Sequence, residues 1–341
     1  MKGKKIGLAL VSSIAVLGLG LAGCSSQQNG SKSASSTSSA PKMTLKLADI
    51  QPANYPTVAG DNAFAKEVSD KTKGRIQIKV YPNAQLGDEK SAIEQVQLGA
   101  IDFGRINTAP LAESSKDIGV FNMPYLFSSS EQMWNVLNGS IGEKLLKSLE
   151  QAKMEGLTYY DSGARDFYNS KHSVQHPSDL KGLKIRVQQS QTFVDLINQF
   201  GASAVPMNFG DVYNALQTGV LDGAENNWPS YFSTNHYKSA KYITEDEHTR
   251  NPEILLASST VWSKLSPADQ KIVKQAAIDS QAVERKAWND LEKKAKDAAK
   301  ANGNVVTTIK DVEEWQKVAQ PIYDKDGAQY KDLISQIKAV K

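Results

Sequence analysis

Two arginines near the ends of residues 161–188 are the side chains in this sequence best suited to binding an anion. Arg165 follows a small Ser-Gly-Ala step, and Arg186 interrupts the strand-like run of residues 183–187. A guanidinium group cannot shed its charge, so its burial at the end of an apolar strand is costly without an anion. From this stretch alone, Arg186 either binds a ligand, pairs with an internal carboxylate, or points outward on an edge strand.

The charge balance of the chain restricts anion recognition to a local site. The sequence has 40 basic and 37 acidic residues, and three of the lysines lie in residues 1–23, which contain no acidic residue. The rest of the chain therefore balances 37 basic against 37 acidic residues. Because this balance provides no broad positive field, we expect no nucleic-acid partner and an anion site built from a few placed groups.

The sequence shows no set of residues typical of catalysis or of a metal site. His172 and His176 are four residues apart, a spacing that binds zinc on a helix, but Pro177 and its polar surroundings indicate a loop. Neither a glycine-rich phosphate loop nor a nucleophile elbow is present. We therefore expect a protein that is not an enzyme and that uses neither a cofactor nor a metal.

The first residues have the pattern of a secretory signal. Lysines at the start precede an uncharged apolar run over residues 6–22, and Leu-Ala-Gly-Cys ends at Cys24. This ending resembles a bacterial lipobox, which implies cleavage before Cys24 and lipidation of its sulfur. Cys24 is also the only cysteine, so no intrachain disulfide is possible. We predict a lipoprotein signal peptide over 1–23 and a flexible tether over 24–41, which is polar and rich in small residues.

The remaining chain predicts two α/β lobes built on one repeated plan. Residues 43–48 and 76–81 alternate like strands, and residues 61–72 between them have helical spacing. Residues 97–102 (Gln-Leu-Gly-Ala-Ile-Asp) are echoed by residues 217–222 (Gln-Thr-Gly-Val-Leu-Asp). Each copy predicts a helix that ends at glycine and leads into a short strand with polar residues at its exit. Ligands commonly bind at such strand ends.

One long helix is predicted to lie across both lobes. Ser266-Pro267-Ala268-Asp269 is an N-terminal capping sequence, and the helix continues to about Ala301. A second helix is predicted over residues 131–149. The predicted lobe boundaries are 42–162 plus about 252–290 for lobe I, and 163–251 plus about 291–341 for lobe II.

Four polar side chains at the predicted strand exits suggest a carboxylate site: Arg105, Arg165, Arg186 and Asn226. One guanidinium can bind a carboxylate through two hydrogen bonds, and an asparagine offers a donor and an acceptor to hydroxyl groups. Tyr55, Trp228 and Tyr231 are candidates for flat apolar walls against a sugar ring. For each of these aromatic residues, ordinary core packing is the alternative.

Three ordered motifs carry a resemblance to a known family: Asp-Leu-Lys-Gly-Leu-Lys-Ile-Arg-Val at 179–187, Ala-Val-Pro-Met at 204–207, and residues 211–226. Together they resemble the extracytoplasmic solute receptor of a tripartite ATP-independent periplasmic (TRAP) transporter, of the DctP type. The resemblance implies an α/β, class II-like periplasmic-binding-protein fold whose two lobes close on an organic acid. It also implies that Arg186 holds the ligand carboxylate, that Arg165 contacts a carboxylate or hydroxyl group, and that Asn226 is a ligand residue.

Residues 222–231, with 236–237 and 246–249, resemble the branch of the family that binds hexuronates such as glucuronate and galacturonate. The residues available as partners for sugar hydroxyl groups are Gln51, Glu89, Arg105, Asn107, Asn226 and Asn227. One departure is Gln188, where many members carry proline. The expected ligand bridges Arg105 on one lobe and Arg165, Arg186 and Asn226 on the other.

The resemblance implies a monomeric receptor that delivers its ligand to membrane permease subunits. Alternatives that the sequence leaves open are a receptor for a C4-dicarboxylate or another sugar acid, and a ligand-sensing partner of a two-component sensor. A secreted lyase or hydrolase acting on uronate polymers would also use paired arginines. It requires a general base with a nearby acid or metal, and the sequence shows no such pairing.

Overall fold

The computed structural model describes residues 41–341, so the predicted signal peptide, Cys24 and nearly all of the predicted tether lie outside the described residues. The strands are β1 (Met43–Ala48), β2 (Ile76–Tyr81), β3 (Phe103–Asn107), β4 (Met154–Tyr160), β5 (Arg165–Asn169), β6 (Lys184–Val187), β7 (Ser203–Pro206), β8 (Gly223–Asn226), β9 (Tyr242–Thr249), β10 (Glu253–Ser258) and β11 (Val305–Thr308). The helices are α1 (Pro56–Lys71), α2 (Glu89–Leu98), α3 (Thr108–Leu111), α4 (Ser130–Leu137), α5 (Ser140–Ser148), α6 (Gln191–Gln199), α7 (Val212–Thr218), α8 (Trp228–Ser233), α9 (His236–Ser239), α10 (Ser259–Trp262), α11 (Pro267–Ala301), α12 (Val312–Lys325) and α13 (Lys331–Ala339).

The strands form two separate sheets, which define the two lobes of the fold. The first sheet has the order β2-β1-β3-β10-β4, and the second has the order β11-β9-β5-β8-β6-β7. In the first sheet β1 runs parallel to β2 and β3, whereas β10 runs antiparallel to β3 and β4. The chain passes from the first sheet to the second after β4 and returns between β9 and β10. The predicted mixed α/β fold with two lobes is confirmed.

The repeated helix-glycine-strand plan is also confirmed. Helix α2 ends at Gly99 and α7 at Gly219, and both glycines adopt the left-handed conformation, with φ of 76° and 73°. A glycine is favoured at this position because it has no Cβ atom to clash there. The strands that follow, β3 and β8, are interior strands of their sheets. Their exits therefore bring polar residues to the face where the two lobes meet.

The long helix α11 has 35 residues, and it starts after the predicted capping sequence and ends at Ala301, as expected. The Ser266 hydroxyl accepts a hydrogen bond from the Asp269 backbone N–H, which caps the first turn. The helix packs against α1 and β4 of the first lobe and against α8 of the second. Within residues 41–341, no helix is both long enough and apolar enough to cross a membrane.

The single helix predicted over residues 131–149 is wrong in one respect, since the structure has two helices there, α4 and α5. The break falls at Gly139, whose backbone is extended, with φ of −98° and ψ of −176°. Apolar spacing continues through this glycine, so the pattern alone did not show the interruption. The break lets both short helices bury their apolar faces in the same core.

Candidate functional site

A small inner chamber lies between the two sheets, where the strand exits of both lobes meet. Its volume is about 20 Å³. The residues that line it are Ile50, Gln51, Glu89, Arg105, Asn107, Arg165, Arg186, Gln188, Phe209, Asn226, Asn227, Ser230 and Glu253. Eight of the ten ligand residues predicted from the sequence are therefore brought together here, contributed by both sheets. The chamber has room for about one water molecule, so a larger ligand requires it to widen.

Arg105 is buried on the first lobe among three carboxylates. Only 1% of its surface is exposed. One guanidinium nitrogen donates to Asp49, while Nη1 lies 2.6 Å from Glu253 Oε2 and 3.5 Å from Glu89 Oε1. These carboxylates neutralise the positive charge of Arg105. Arg105 therefore forms part of the chamber wall and attracts an anionic ligand only weakly.

Arg165 is neutralised on the second lobe by Glu225. Its Nε lies 2.5 Å from Glu225 Oε2 and its Nη2 2.9 Å from Oε1, which is a two-pronged ion pair. Nη2 also donates to the Glu225 carbonyl oxygen at 2.8 Å, and Nη1 donates to Asn226 Oδ1 at 3.1 Å. Every guanidinium nitrogen of Arg165 is thus engaged by protein groups.

Arg186 differs from the other two arginines because it is buried without a carboxylate partner. It is 4% exposed, and its Nε and Nη2 donate to the Met207 carbonyl oxygen at 3.0 and 2.8 Å. Within residues 41–341 it forms no ion pair. Burial, opposed by the Glu225 charge and reinforced by Arg165, lowers the pKa of Arg186 to about 10. The side chain therefore stays charged at neutral pH, and its charge is the one available to an anionic ligand.

Glu89 and Asn226 supply hydrogen-bonding groups beside this cation. Burial raises the pKa of Glu89 to about 7, although the Arg105 charge opposes the rise. Glu89 Oε1 accepts a hydrogen bond from the Asn107 backbone N–H at 2.8 Å. Asn226 uses its Oδ1 to accept from Arg165 and from the Asn227 N–H. Such groups are suited to the hydroxyl groups of a ligand.

Gln51 and Asn107 also lie at the chamber. Gln51 is 6% exposed, and its Oε1 atom has no hydrogen-bond partner among the described residues. Asn107 donates to Glu253 Oε1 at 2.9 Å and accepts from Asn251 at 2.6 Å. Its side chain is therefore fixed by protein contacts, whereas that of Gln51 has unused capacity to bind a polar ligand.

Tyr231 is not at the chamber. It is fully buried in the core of the second lobe, packed against Tyr168 and Trp228, and its hydroxyl donates to the Ala240 carbonyl oxygen at 2.5 Å. Tyr231 is therefore an ordinary core residue and not a wall of the ligand site. The sequence offered Tyr231 as a flat apolar wall for a sugar ring, but the turn into α8 directs this part of the chain into the interior.

Tyr55 is not among the residues that line the chamber either, and instead joins the two lobes beside it. Its hydroxyl lies 2.8 Å from Ser230 Oγ and 3.2 Å from Asn227 Oδ1, which it reaches from the start of α1. Its ring packs edge-on against Trp288 of α11, with centroids 5.9 Å apart. Since Asn227 and Ser230 both line the chamber, the Tyr55 hydroxyl stabilises the contact between the lobes next to the site.

Replacing Tyr55 with phenylalanine is expected to weaken ligand binding by about 2- to 12-fold, because a net hydrogen bond contributes ~0.5–1.5 kcal/mol. The ring contact with Trp288 is preserved, so the fold should be retained. Calorimetry on both proteins measures the effect. Tyr242→Phe, on the distant strand β9, is the matched control, and an equal loss in both variants would contradict the role of Tyr55.

A buried polar network extends from Arg165 away from the chamber. Glu225 Oε2 lies 3.4 Å from His248 Nε2, and His248 Nδ1 lies 2.9 Å from Asp246 Oδ2. Although burial lowers the pKa of His248, the Asp246 carboxylate and then Glu225 raise it to about 9. The imidazole is therefore positively charged at neutral pH. Glu225 belongs to the motif at residues 211–226, but nothing in the sequence showed that it pairs with Arg165.

The stability of the protein is expected to fall as pH rises through about 9. The folded-state pKa of His248 lies above its ordinary value of 6.5, so its contribution is complete below pH 6.5 and is lost on deprotonation. Thermal unfolding between pH 7 and pH 10 tests this. His248→Asn should reduce the slope, whereas His172→Asn, at an exposed position, should preserve it. An unchanged slope in His248→Asn would contradict the assignment.

Among residues 41–341, no group of three or more histidine, cysteine, aspartate or glutamate side chains is arranged to hold a metal ion. His176 contacts Glu314 at 2.7 Å on the protein surface. The chamber itself combines Arg186, which forms no ion pair among the described residues, with neutralised ion pairs and hydrogen-bonding groups, an arrangement suited to holding an anion.

The fold and this chamber define a two-lobed solute-binding protein. The model of the family described as bacterial extracellular solute-binding protein, family 7 (DctP), matches residues 47–329. The chain belongs to this family.

Its relatives extend the comparison. A TRAP periplasmic solute-binding protein of Xanthobacter autotrophicus, solved with bound β-D-galacturonate, is 42% identical with a TM-score of 0.85, over 87% of this chain and 100% of that one. The corresponding protein of Chromohalobacter salexigens, solved with D-glucuronate, is 36% identical with a TM-score of 0.85, over 87% and 100% of the chains. A curated solute-binding protein of Chromohalobacter salexigens is 37% identical over 86% of this chain and 87% of its own length.

Proposed function

We propose that the protein is the extracytoplasmic receptor of a TRAP transporter and that it captures a hexuronate such as galacturonate or glucuronate. The observation that carries the proposal is Arg186, a buried cation in the chamber that no carboxylate of the described chain neutralises. The hexuronates bound to the similar solved structures support the choice of a sugar acid.

The charges of the chamber favour a ligand with one carboxylate. A C4-dicarboxylate presents two negative charges, and each needs a cation. Arg105 and Arg165 are already paired with Asp49, Glu253 and Glu225. The second carboxylate would therefore compete with these buried acidic groups, which costs free energy. A hexuronate instead offers one carboxylate for Arg186 and hydroxyl groups for its neighbours.

The proposed contacts follow from these positions. Arg186 binds the ligand carboxylate, and Glu89 accepts hydrogen bonds from hydroxyl groups. Asn226 and Gln51 complete the hydroxyl contacts, with Asn227 beside them. Asn107, whose side chain is held by Glu253 and Asn251, forms part of the wall. Arg105 and Arg165 hold the two walls in place and reach the ligand only as secondary partners.

Binding is proposed to occur by closure of the two lobes, with boundaries near 42–162 plus 252–290 and 163–251 plus 291–341. A ligand that contacts residues of both sheets stabilises the closed form through these differential contacts. The membrane permease would then recognise the closed surface of a monomeric receptor. The ligand is bound and released without chemical conversion.

Attachment to a membrane through lipidated Cys24 is part of the same proposal, supported by the Leu-Ala-Gly-Cys motif. Replacing Cys24 with serine is expected to move the receptor from the membrane fraction of the producing cell to the soluble fraction. Immunoblotting of the two fractions measures this. Recovery of the variant in the membrane fraction at the wild-type level would contradict lipid anchoring.

Titration calorimetry with D-galacturonate, D-glucuronate, succinate and D-galactose tests the proposed function. Galactose is the matched control ligand, since it has the ring of galacturonate without its carboxylate. We expect a hexuronate to bind with one site per chain, and galactose and succinate to bind at least about a hundredfold more weakly. Equal affinity for galactose would contradict the role of Arg186, and preference for succinate would contradict the ligand class.

A further inference from the structure

Gln188 carries a side-chain amide at the ligand site that the proposed ligand contacts do not use. It follows strand β6 directly, is 8% exposed, and lines both the chamber and the adjoining cavity of about 300 Å³, which also contains Arg186 and Glu89. Its Oε1 atom lies 3.3 Å from Asn251 Nδ2, whereas its Nε2 atom donates to no residue among 41–341. A primary amide has an acceptor at one end and a donor at the other, so the end that faces the ligand decides which ligand atoms it can bind.

The orientation of this amide is fixed by a chain of hydrogen bonds that begins at Asn107. One atom of the Asn107 amide lies 2.9 Å from the Ala109 backbone nitrogen, and because a backbone N–H can only donate, that atom is the oxygen. The other atom lies 2.9 Å from Glu253 Oε1. Glu253 forms an ion pair with Arg105 and therefore accepts, so this second atom is the nitrogen. The Asn107 amide thus has one possible orientation.

Asn251 links this fixed amide to Gln188. It is fully buried in the connection from β9 to β10, and it is not among the residues that line the chamber or the adjoining cavity. Because Asn107 Oδ1 is an acceptor, the Asn251 atom 2.6 Å from it is the donor Nδ2. The same nitrogen lies 3.3 Å from Gln188, which must therefore present its oxygen there. The Gln188 amide nitrogen, with its two N–H groups, is the end left for a ligand.

We propose that Gln188 Nε2 donates a hydrogen bond to the ring oxygen of a closed-ring hexuronate, which makes Gln188 a specificity-determining residue. In such a sugar the ring oxygen is bonded to the carbon that carries the carboxylate, so it lies next to the group that Arg186 holds. A ring oxygen can only accept, and Gln188 offers donors to it, whereas Glu89 offers an acceptor to hydroxyl groups. The inference rests on the proposed function, because Arg186 must hold the carboxylate. Asn251 acts through Gln188 and is a positioning residue.

Titration calorimetry with D-galacturonate and its 5a-carba analogue, in which a CH₂ group replaces the ring oxygen, tests this contact in the purified full-length receptor. The wild type should bind galacturonate about 2- to 12-fold more tightly than the analogue, the range for one net hydrogen bond. Gln188→Met, which keeps the length of the side chain without its amide, should bring the ratio of the two affinities to about 1. Gln199→Met, at an exposed position on α6, is the matched control and should keep the wild-type ratio.

Asn251→Ala tests the positioning role. The Gln188 amide remains but loses the hydrogen bond that orients it, so the ratio of the two affinities should fall toward about 1, which a loss of stability alone would not cause. NMR of the wild-type protein labelled with ¹⁵N at glutamine side chains gives an independent measurement. The Gln188 amide signal, identified by its absence in Gln188→Met, should shift more with galacturonate than with the carba analogue.

The outcomes separate this inference from the proposed function. Equal affinity of the wild type for galacturonate and its carba analogue would show that Gln188 makes no bond to the ring oxygen, while the receptor remains a hexuronate receptor. A ratio that survives in Gln188→Met would assign the ring oxygen to another group. A ratio that survives in Asn251→Ala would remove Asn251 as the positioning residue. If neither ligand binds, the proposed function fails as well.

Discussion

Replacing Arg186 with alanine is expected to reduce hexuronate affinity by about 10²- to 10⁴-fold. A carboxylate that spans the guanidinium accepts two hydrogen bonds, and a bond to a charged group contributes ~1.5–3 kcal/mol. No other cation of the chamber can replace it, because Arg105 and Arg165 are held in ion pairs with Asp49, Glu253 and Glu225. Galactose binding, which involves no carboxylate, should change much less.

The same substitution is expected to leave the ligand-free protein folded, with an unfolding free energy within about 1 kcal/mol of the wild type. The two hydrogen bonds to Met207 are lost, but a buried charge that no carboxylate compensates is removed at the same time. Titration calorimetry and urea unfolding measure the two effects separately. Lys184→Ala, at an exposed position on the same strand, is the control and should change neither quantity. Wild-type affinity in Arg186→Ala would remove this residue from the site.

The contrast among the three arginines marks the limit of what the sequence could predict about the site. Arg105, Arg165 and Arg186 each follow or interrupt an apolar strand, so the neighbouring sequence does not distinguish their roles. Their partners are distant along the chain: Glu225 is 60 residues from Arg165, and Glu253 is 148 residues from Arg105. Which arginine keeps an available charge depends on strand pairing, since β5 pairs with β8 and β3 with β10. The resemblance to the family, and not the local pattern, singled out Arg186.

Elements with strong local signals were predicted well. The capping sequence at Ser266 fixed the start of α11, and the two helix-glycine-strand copies gave the central strands β3 and β8. These signals depend on capping chemistry and backbone conformation, which act within a few residues.

Strand β9 had no such signal and was not predicted. Its sequence, Tyr-Ile-Thr-Glu-Asp-Glu-His-Thr, is rich in polar residues, yet Asp246 and His248 are buried there. The two side chains contact each other at 2.9 Å, and pairing with β5 and β11 supplies the backbone hydrogen bonds. Hydrophobic periodicity cannot detect a strand whose buried polar side chains pair with each other and with Glu225 of β8.

Replacing Glu225 with glutamine is expected to lower the unfolding free energy by about 3–5 kcal/mol, the usual cost of removing one partner from a buried ion pair. Glu225 is fully buried, and it serves both the Arg165 guanidinium and the charged His248 ring. Glutamine has nearly the same shape, so the loss reports on charge and not on packing. Because Arg165 also positions Asn226, ligand affinity should fall as well.

Urea unfolding measures the loss of unfolding free energy in Glu225→Gln, and Glu247→Gln is the control that removes a surface ion pair instead of a buried one. Glu247 pairs with Arg250 at the surface, where 56% of its side chain is exposed, and such pairs contribute ~0–1 kcal/mol. The double variant Arg165→Met, Glu225→Leu should recover much of the stability lost in Glu225→Gln, because no uncompensated guanidinium remains. It should not recover ligand affinity, since the contact that positions Asn226 is absent. Equal stability losses in Glu225→Gln and Glu247→Gln would show that Arg165 does not depend on Glu225 for its burial.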